Sequence, residues 1–368
     1  MIARAKIGEK RGAGAAVERV LLVVNRASGT GHGGGVVDGL RAVLGRSLGG
    51  RAALRVEVVG DHPAARGCVA RFLEGSDTPA LVVAGGGSGT LRAVIEGLCE
   101  ESASGRPPGR ERVLVGALRM GSGNPLARQF GAPRDPEAGL RGIIENLRAG
   151  WTAPCCVIRC EVGKPGGDTE VRHAATMAGF GQFGRAPGDL ECWHRRLRVP
   201  RAVAAGILGV ERVNNAEYVL ALLARSARCA LSGPSAAEAV EVRACGRKEV
   251  LPLLAGAALS FPFGELPVDP GTRVEEEALS LYLAPFARRS SALRMILAPR
   301  RLFRDAFRFR IEGAERAEIR LLGRDRAEFF LDEDPVTFHG HLTLEVAGSL
   351  TFVPGPEYTF RAESGVRA

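Results

Sequence analysis

Three apolar runs in the first third of the chain each end in small residues and are followed by a helical pattern. They are VLLVVN at residues 20–25, LVVAGG at 81–86 and VLVGA at 113–117. Short apolar runs that alternate with amphipathic helices are typical of strands buried on both faces of a parallel sheet. The helix after the second run is the clearest, because its apolar residues recur at the spacing of one buried face: Leu91, Val94, Ile95 and Leu98.

The pattern changes after Trp151. From there the chain shows short β-like runs separated by glycine and proline, at residues 219–224, 250–256, 279–286, 318–323 and 342–348. Such runs predict a largely antiparallel domain, which we expect to be a β-sandwich. We therefore predict an α/β protein with a basic tail over residues 1–18, a parallel-sheet domain over 19–150 and a β-rich domain over 151–368.

Composition agrees with a two-domain protein. A chain of 368 residues with 45% hydrophobic residues can bury two cores. No apolar run approaches the roughly 20 residues that a membrane-spanning helix needs, and the N-terminal segment lacks the apolar core of a signal peptide. We therefore expect a cytoplasmic protein. The eight cysteines show no paired C-x-x-C spacing, so we expect free thiols and assign no metal ligands.

Glycine-rich segments follow all three predicted strands of the first domain. Glycine lets the backbone approach a ligand closely, and the first N–H groups of a following helix favour anionic oxygens. Because the carboxyl ends of parallel strands share one edge of a sheet, we expect the three segments to meet there. The pattern predicts a phosphate-binding edge, although glycine at a strand end is also common in tight turns.

The same segments carry a family resemblance. NRASG at residues 25–29, GGSGT at 86–90 and GSGNPLA at 121–127 resemble the nucleotide loops of the diacylglycerol kinase, sphingosine kinase and ceramide kinase superfamily, written NPxSG, GGDGT and G(T/S)GN. FFLDEDP at 329–335 is similar to the late DGE motif of that family. The resemblance spans most of the chain and implies a Rossmann-like first domain of the phosphofructokinase and NAD kinase type.

The resemblance implies a lipid kinase that uses ATP and Mg²⁺. Asp332 would accept the proton of the lipid hydroxyl group as the catalytic base, whereas a polar turn is the alternative explanation of the DEDP sequence. The loops would hold the nucleotide phosphates through these residues: Asn25, Ser28, Gly29, Gly86, Gly87, Ser88, Gly89, Thr90, Gly121, Ser122, Gly123 and Asn124.

Ser88 departs from the family pattern, because it stands where GGDGT has an aspartate. A neutral hydroxyl group cannot hold a magnesium-bound nucleotide electrostatically as a carboxylate can. Three hypotheses therefore stay open. The first is a kinase acting on a diacylglycerol, a sphingoid base or a ceramide-like lipid. The second is a non-catalytic member that binds nucleotide or lipid, and the third is an enzyme similar to NAD kinase with a soluble substrate.

Arginine is concentrated in two stretches, residues 193–201 and 288–310, and the net charge is +9. Each arginine near an anionic bilayer contributes about 1 kcal/mol to binding, so we expect peripheral association with an anionic membrane surface. A solvated arginine-rich surface is the alternative explanation. The chain has two Trp, three Tyr and no recognised nucleic-acid module, so we do not expect it to bind nucleic acid.

Overall fold

The chain folds into two compact units. The computed structural model describes residues 9–10, 17–26, 28, 34–50, 52–100, 107–108, 112–121, 124–196, 213–234, 237–262, 271–332 and 334–359. Unit 1 comprises residues 1–157, 274–277 and 347–368, and unit 2 comprises 158–273 and 278–346. The sequence-based division after residue 150 did not include the two later returns of the chain to unit 1.

Unit 1 is built on a parallel sheet, as predicted. The strand order is β3–β2–β4–β5, and Leu22 of β2 lies opposite Val56 of β3 and Val83 of β4. Thr351 and Phe352 then pair with β5, also in parallel. The strands are β2 (Arg19–Asn25), β3 (Ala53–Val59), β4 (Ala80–Gly86) and β5 (Val113–Arg119), and the two-residue β1 (Glu9–Lys10) pairs with residues 151–152.

The helices of unit 1 cover this sheet because the strands are apolar on both faces. They are α1 (Gly34–Leu48), α2 (His62–Leu73), α3 (Ser88–Glu100), α4 (Pro125–Gln129) and α5 (Pro136–Ala149). Helices α1 and α5 form one core with alternate strand residues such as Val20 and Leu22. Helix α2 packs against α3. Both α2 and α5 begin at an aspartate whose side chain accepts a hydrogen bond from the first turn.

Unit 2 is largely antiparallel, which confirms the predicted change of architecture. Its main strand order is β15–β14–β8–β10–β9–β13–β16, β11 pairs with β10 and β12, and β6 pairs with β7. The strands are β6 (Trp151–Gly163), β7 (Thr169–Ala174), β8 (Met177–Phe180), β9 (Glu238–Ala244), β10 (Arg247–Leu259), β11 (Ala278–Pro285), β12 (Phe307–Glu312), β13 (Arg316–Leu322), β14 (Arg326–Leu331), β15 (Asp334–His339) and β16 (His341–Phe352). The first residues of β6 and the last residues of β16 belong to unit 1.

One predicted strand in this half is wrong. Residues 219–224 (VLALLA) lie in the middle of a helix of 20 residues, Val213–Ser232. A short apolar run fits a strand or a helix equally well, and here the alanine-rich continuation extends the helix. The α-helices in the described residues of unit 2 are α6 (Gly181–Gly184), α7 (Ala186–Arg196), α8 (Val213–Ser232), α9 (Arg289–Leu297) and α10 (Pro299–Arg304). None of the helices in the described ranges is both long and apolar enough to cross a bilayer.

Candidate functional site

Loop 1 (residues 25–29) is hydrogen-bonded to loop 2 (residues 86–90) through two side chains. The Asn25 amide Nδ2 donates to Thr90 Oγ1 at 3.0 Å, and the Gly87 N–H donates to Ser28 Oγ at 3.1 Å. Asn25 is the last residue of β2, and Thr90 lies in the first turn of α3. Because Thr90 is buried, the first of these bonds fixes the end of one strand to the start of the helix after its neighbour.

Loop 2 contacts loop 3 (residues 121–124) through glycine backbones. A Cβ atom on Gly121 would lie 2.5 Å from the Cα of Gly87, and one on Gly86 would lie 2.3 Å from Thr90 Oγ1. No side chain can occupy either position without moving the backbone or Thr90. The Met120 N–H also donates to the Gly86 carbonyl at 3.3 Å. The glycines are therefore required for the loops to pack together at this edge.

Asn124 gives loop 3 its sharp turn into α4. It has a left-handed backbone (φ 54°), which asparagine tolerates better than most residues. Its Nδ2 donates to the Gly121 carbonyl at 2.7 Å, and the residue is buried. Pro125 follows at the first helical position, where its missing N–H group costs no hydrogen bond.

The arrangement suits an anionic ligand at the start of α3. The first hydrogen bond of the helix runs from Leu91 N–H to the Gly87 carbonyl at 3.1 Å. The preceding N–H groups, at residues 88–90, have no carbonyl four residues back within the helix. Together with the helix dipole they favour phosphate oxygens. The Gly87 N–H, which the sequence assigned to the nucleotide, instead donates to Ser28.

The donor set fits a nucleotide phosphate better than a protein-bound metal. The hydrogen-bond donors of loop 2 are its backbone N–H groups and the hydroxyl groups of Ser88 and Thr90, and its sequence contains no carboxylate. Among the described residues, no group of three His, Cys, Asp or Glu side chains is arranged to hold a metal ion. The predicted Gly29, Ser122 and Gly123 lie outside the described residues.

Asp332 lies in unit 2, in the turn between β14 and β15, and is 3% exposed. Its carboxylate accepts hydrogen bonds from the residues that connect β7 and β8. Oδ1 accepts from the Thr176 N–H at 2.9 Å, the Met177 N–H at 3.0 Å and the Thr176 hydroxyl group, whereas Oδ2 accepts, among the described residues, from the Ala175 N–H alone, at 2.9 Å. Oδ2 therefore retains a lone pair for a further hydrogen.

Hydrogen bonds also fix the backbone of Asp332 and of the segment that binds its carboxylate. Asp332 has a left-handed conformation (φ 47°), and its N–H group donates to the Met177 carbonyl at 2.9 Å. The buried Ser260 hydroxyl group donates to the Ala175 carbonyl at 3.0 Å. Sequence reasoning missed Thr176 and Ser260. Their only signal was a single hydroxyl residue within an otherwise small or apolar run, in AATMAGF and GAALSF.

Comparisons with known proteins agree with this organisation. Residues 19–157 match the family defined by the diacylglycerol kinase catalytic domain. The probable lipid kinase YegS-like of Chromohalobacter salexigens is 34% identical over 102 residues. That match spans 28% of this chain and 27% of the relative, so the chain matches about a quarter of the length of this curated relative.

Solved structures share the fold of nearly the whole chain. A diacylglycerol kinase from Bacillus anthracis str. Sterne has a TM-score of 0.57 at 14% identity and covers 93% of this chain and 98% of its own. A structure from the same organism, provisionally named a diacylglycerol kinase, has a TM-score of 0.62 at 16% identity and covers 94% and 99%. At these identities the likeness concerns the fold.

Proposed function

We propose that this chain, whose residues 19–157 match the family defined by the diacylglycerol kinase catalytic domain, is a lipid kinase of that superfamily that transfers the γ-phosphoryl group of ATP to a lipid hydroxyl group. The substrate would be a diacylglycerol, a sphingoid base or a ceramide-like lipid, presented at a membrane surface. The observation that carries the proposal is the hydrogen-bonded and glycine-packed meeting of three loops at one strand edge of unit 1.

Unit 1 would bind the nucleotide through its backbone. The first turn of α3 would donate N–H groups to phosphate oxygens, and the hydroxyl group of Ser88 would add a neutral donor. ATP supplies the phosphoryl group, and Mg²⁺ would arrive bound to its phosphates. Phosphoryl transfer requires mainly positioning and neutralisation of charge, which rigid loops supply because Asn25 and Ser28 hold loop 2 in place.

Asp332 would act on the lipid hydroxyl group. The donors from residues 175–177 fix the carboxylate and leave Oδ2 able to accept the proton as the new O–P bond forms. Thr176 would be a positioning residue, since its N–H and hydroxyl groups both bind Oδ1. The same hydrogen bonds would also suit a purely structural turn, so the assay must separate these roles.

The test is transfer of labelled phosphate from ATP and Mg²⁺ to mixed micelles that hold diacylglycerol, sphingosine, ceramide and monoacylglycerol, with NAD as the soluble competitor substrate. We expect one lipid to be labelled, and Asp332→Asn to lower kcat by about a hundredfold or more with little change in the nucleotide Kd. Circular dichroism and thermal unfolding of the variant establish that it folds. Labelling of NAD alone, or full activity of folded Asp332→Asn, would contradict the proposal.

A non-catalytic role is the second candidate, because Ser88 replaces the aspartate of the family motif. Calorimetry would show that such a protein binds ATP, and the transfer assay would show no labelled lipid. Ser88→Asp separates the two candidates in the same assay. An enzyme adapted to serine should lose activity or change little, since the carboxylate adds negative charge beside the phosphates, whereas a non-catalytic member could gain turnover.

A further inference from the structure

Helix α8 exposes a row of apolar side chains between residues 220 and 231. Leu220, Leu223 and Leu231 are 55%, 39% and 79% exposed, and Ala224 and Ala227 between them are also exposed. These positions follow the i, i+3, i+4, i+7 and i+11 spacing of a single helix face. Over residues 220–232, where the side chains are described, the buried positions of the same helix carry small residues, Ala221, Ser226 and Cys229. A helix of a soluble domain normally has the reverse arrangement, so the exposed leucines need an explanation.

Helix α9 packs against α8 and also carries exposed leucines. Leu293 is 51% exposed and Leu297 is 79% exposed, one helical turn apart. The end of α8 adjoins the start of α9, because a Cβ atom on Gly233 would lie 3.3 Å from Arg289 Nε. The leucine–arginine surface, defined as residues 220–232 and 288–304, thus comprises neighbouring helices of unit 2.

The charges of the leucine–arginine surface all have one sign. It contains no Asp or Glu. Apart from Arg225, which pairs with Asp189, it contains seven arginines: Arg228, Arg288, Arg289, Arg294, Arg300, Arg301 and Arg304. Arg294 and Arg304 both approach Asp305, at 3.3 and 3.5 Å. Arg228, Arg289, Arg300 and Arg301 form no ion pair with any residue that the structure describes. Their positive charge is therefore available to an external partner.

We propose that the leucine–arginine surface docks on the surface of an anionic lipid bilayer. Exposed leucines can enter the boundary between headgroups and acyl chains, while unpaired arginines bind acidic headgroups. The choice of a bilayer rests on the proposed lipid kinase function, but binding itself does not require catalysis. A second copy of the chain fits less well, because residues 220–232 and 288–304 contain no Asp or Glu, and the adjoining Asp305 already contacts Arg294 and Arg304. A nucleic acid would leave the leucines without an apolar partner.

The test is co-sedimentation with phosphatidylcholine vesicles that contain or lack phosphatidylglycerol, in the absence of any substrate. We expect Leu231→Ser/Leu297→Ser and Arg300→Gln/Arg301→Gln each to weaken binding to anionic vesicles by about tenfold or more. Added salt should weaken binding of wild type more than that of the arginine variant. Val250→Ser is the matched control, since Val250 is 60% exposed on β10, outside this surface, and it should bind as wild type does.

Two results would overturn the inference. One is equal vesicle binding by the wild type, the leucine variant, the arginine variant and Val250→Ser. The other is a leucine variant that binds vesicles normally but has a different molar mass in light scattering, which would identify the surface as a contact between copies of the chain. Activity on a short-chain, water-soluble diacylglycerol separates this inference from the proposed function. Loss of vesicle binding with that activity intact supports the docking surface, and intact docking without any kinase activity contradicts only the proposed function.

Discussion

Cys245 is exposed, yet its surroundings disfavour the reactive thiolate form. It takes the first position of the two-residue turn between Ala244 and Arg247, with φ 50°, and Gly246 follows with φ 70°. Two consecutive positive φ values are the mark of a type I′ hairpin turn. The thiol Sγ lies 2.9 Å from the Arg310 carbonyl oxygen and 3.2 Å from Glu315 Oε2, so its single hydrogen is shared between these two acceptors. Desolvation and the nearby Glu315 raise the pKa of the Cys245 thiol to about 11.

We predict slow alkylation of Cys245 at pH 8. With a pKa of about 11, the thiolate fraction is on the order of a hundred times smaller than for an ordinary thiol, and the thiolate is the nucleophile. Iodoacetamide labelling followed by peptide mass spectrometry measures the rate, with urea-unfolded protein as the control. Equal rates in the folded and unfolded protein would show that the shared hydrogen bond does not form in solution.

Gly97 determines how closely two helices of unit 1 approach. It lies on α3, and a Cβ atom there would lie 2.6 Å from the Arg66 carbonyl oxygen and 2.9 Å from Val69 Cβ, both on α2. Backbone and a β-branched side chain cannot move aside as a flexible side chain would. The contact between α2 and α3 therefore depends on the absence of a single carbon atom.

We predict that Gly97→Ala lowers the free energy of unfolding by about 1–3 kcal/mol, the usual cost of overpacking. Gly45→Ala on α1 is the matched control, because nothing lies within 4 Å of its Cβ position. That variant should raise stability by about 0.5–1 kcal/mol, through the better helix propensity of alanine. Urea unfolding measures both, and similar effects of the two substitutions would mean that the helices are further apart than described.

At the scale of elements, the sequence predicted what depends on local pattern. The strands at residues 19–25, 80–86 and 113–119 and the helix at 88–100 were visible as apolar runs and periodic stripes. The run at 219–224 was misread because its leucines satisfy both periods. The outward direction of Leu220 and Leu231 depends on which neighbours pack against α8, and no local pattern contains that information.

In the candidate site, too, some residues could be predicted from local sequence and others could not. The strand-end glycines and Asn25 could be placed by motif, because short-range turn chemistry fixes them. The hydrogen bonds that Asp332 receives from residues 175–177 could not, since they join segments more than 150 positions apart. The hydrogen bond that Ser28 accepts from loop 2 likewise emerged only from the packed loops.

At the scale of the whole molecule, the late segments complete unit 1. Phe352 stacks on Phe130 with ring centroids 4.4 Å apart, and Asn146 Nδ2 donates to the Pro354 carbonyl at 2.9 Å. Tyr358 also stacks with Phe130, with ring centroids 5.9 Å apart, and its hydroxyl group donates to Glu275 Oε1 at 2.8 Å. Burial and the nearby Glu275 raise the pKa of the Tyr358 phenol above its usual value of 10.

The raised pKa of Tyr358 predicts part of the alkaline limit of stability. The folded state favours the neutral phenol, so this contribution is complete below the unfolded pKa near 10 and is lost as the pH rises toward the folded value. We predict that Tyr358→Phe costs about 1 kcal/mol at pH 8 through the lost hydrogen bond, and less at pH 11. Urea unfolding at the two pH values measures the difference, and a penalty that grows with pH would contradict it.

The return of residues 347–359 to unit 1 has a consequence for how the chain is made. A ribosome delivers the loops at residues 25, 86 and 121 early, but Phe352 and Tyr358 reach their partners only after nearly all of unit 2 has been synthesised. Unit 1 therefore cannot finish folding first, although domains usually fold in order from the N-terminus. A polypeptide interrupted anywhere before residue 347 would lack a complete nucleotide domain, so truncated translation products would be incomplete in the very unit that is proposed to consume ATP.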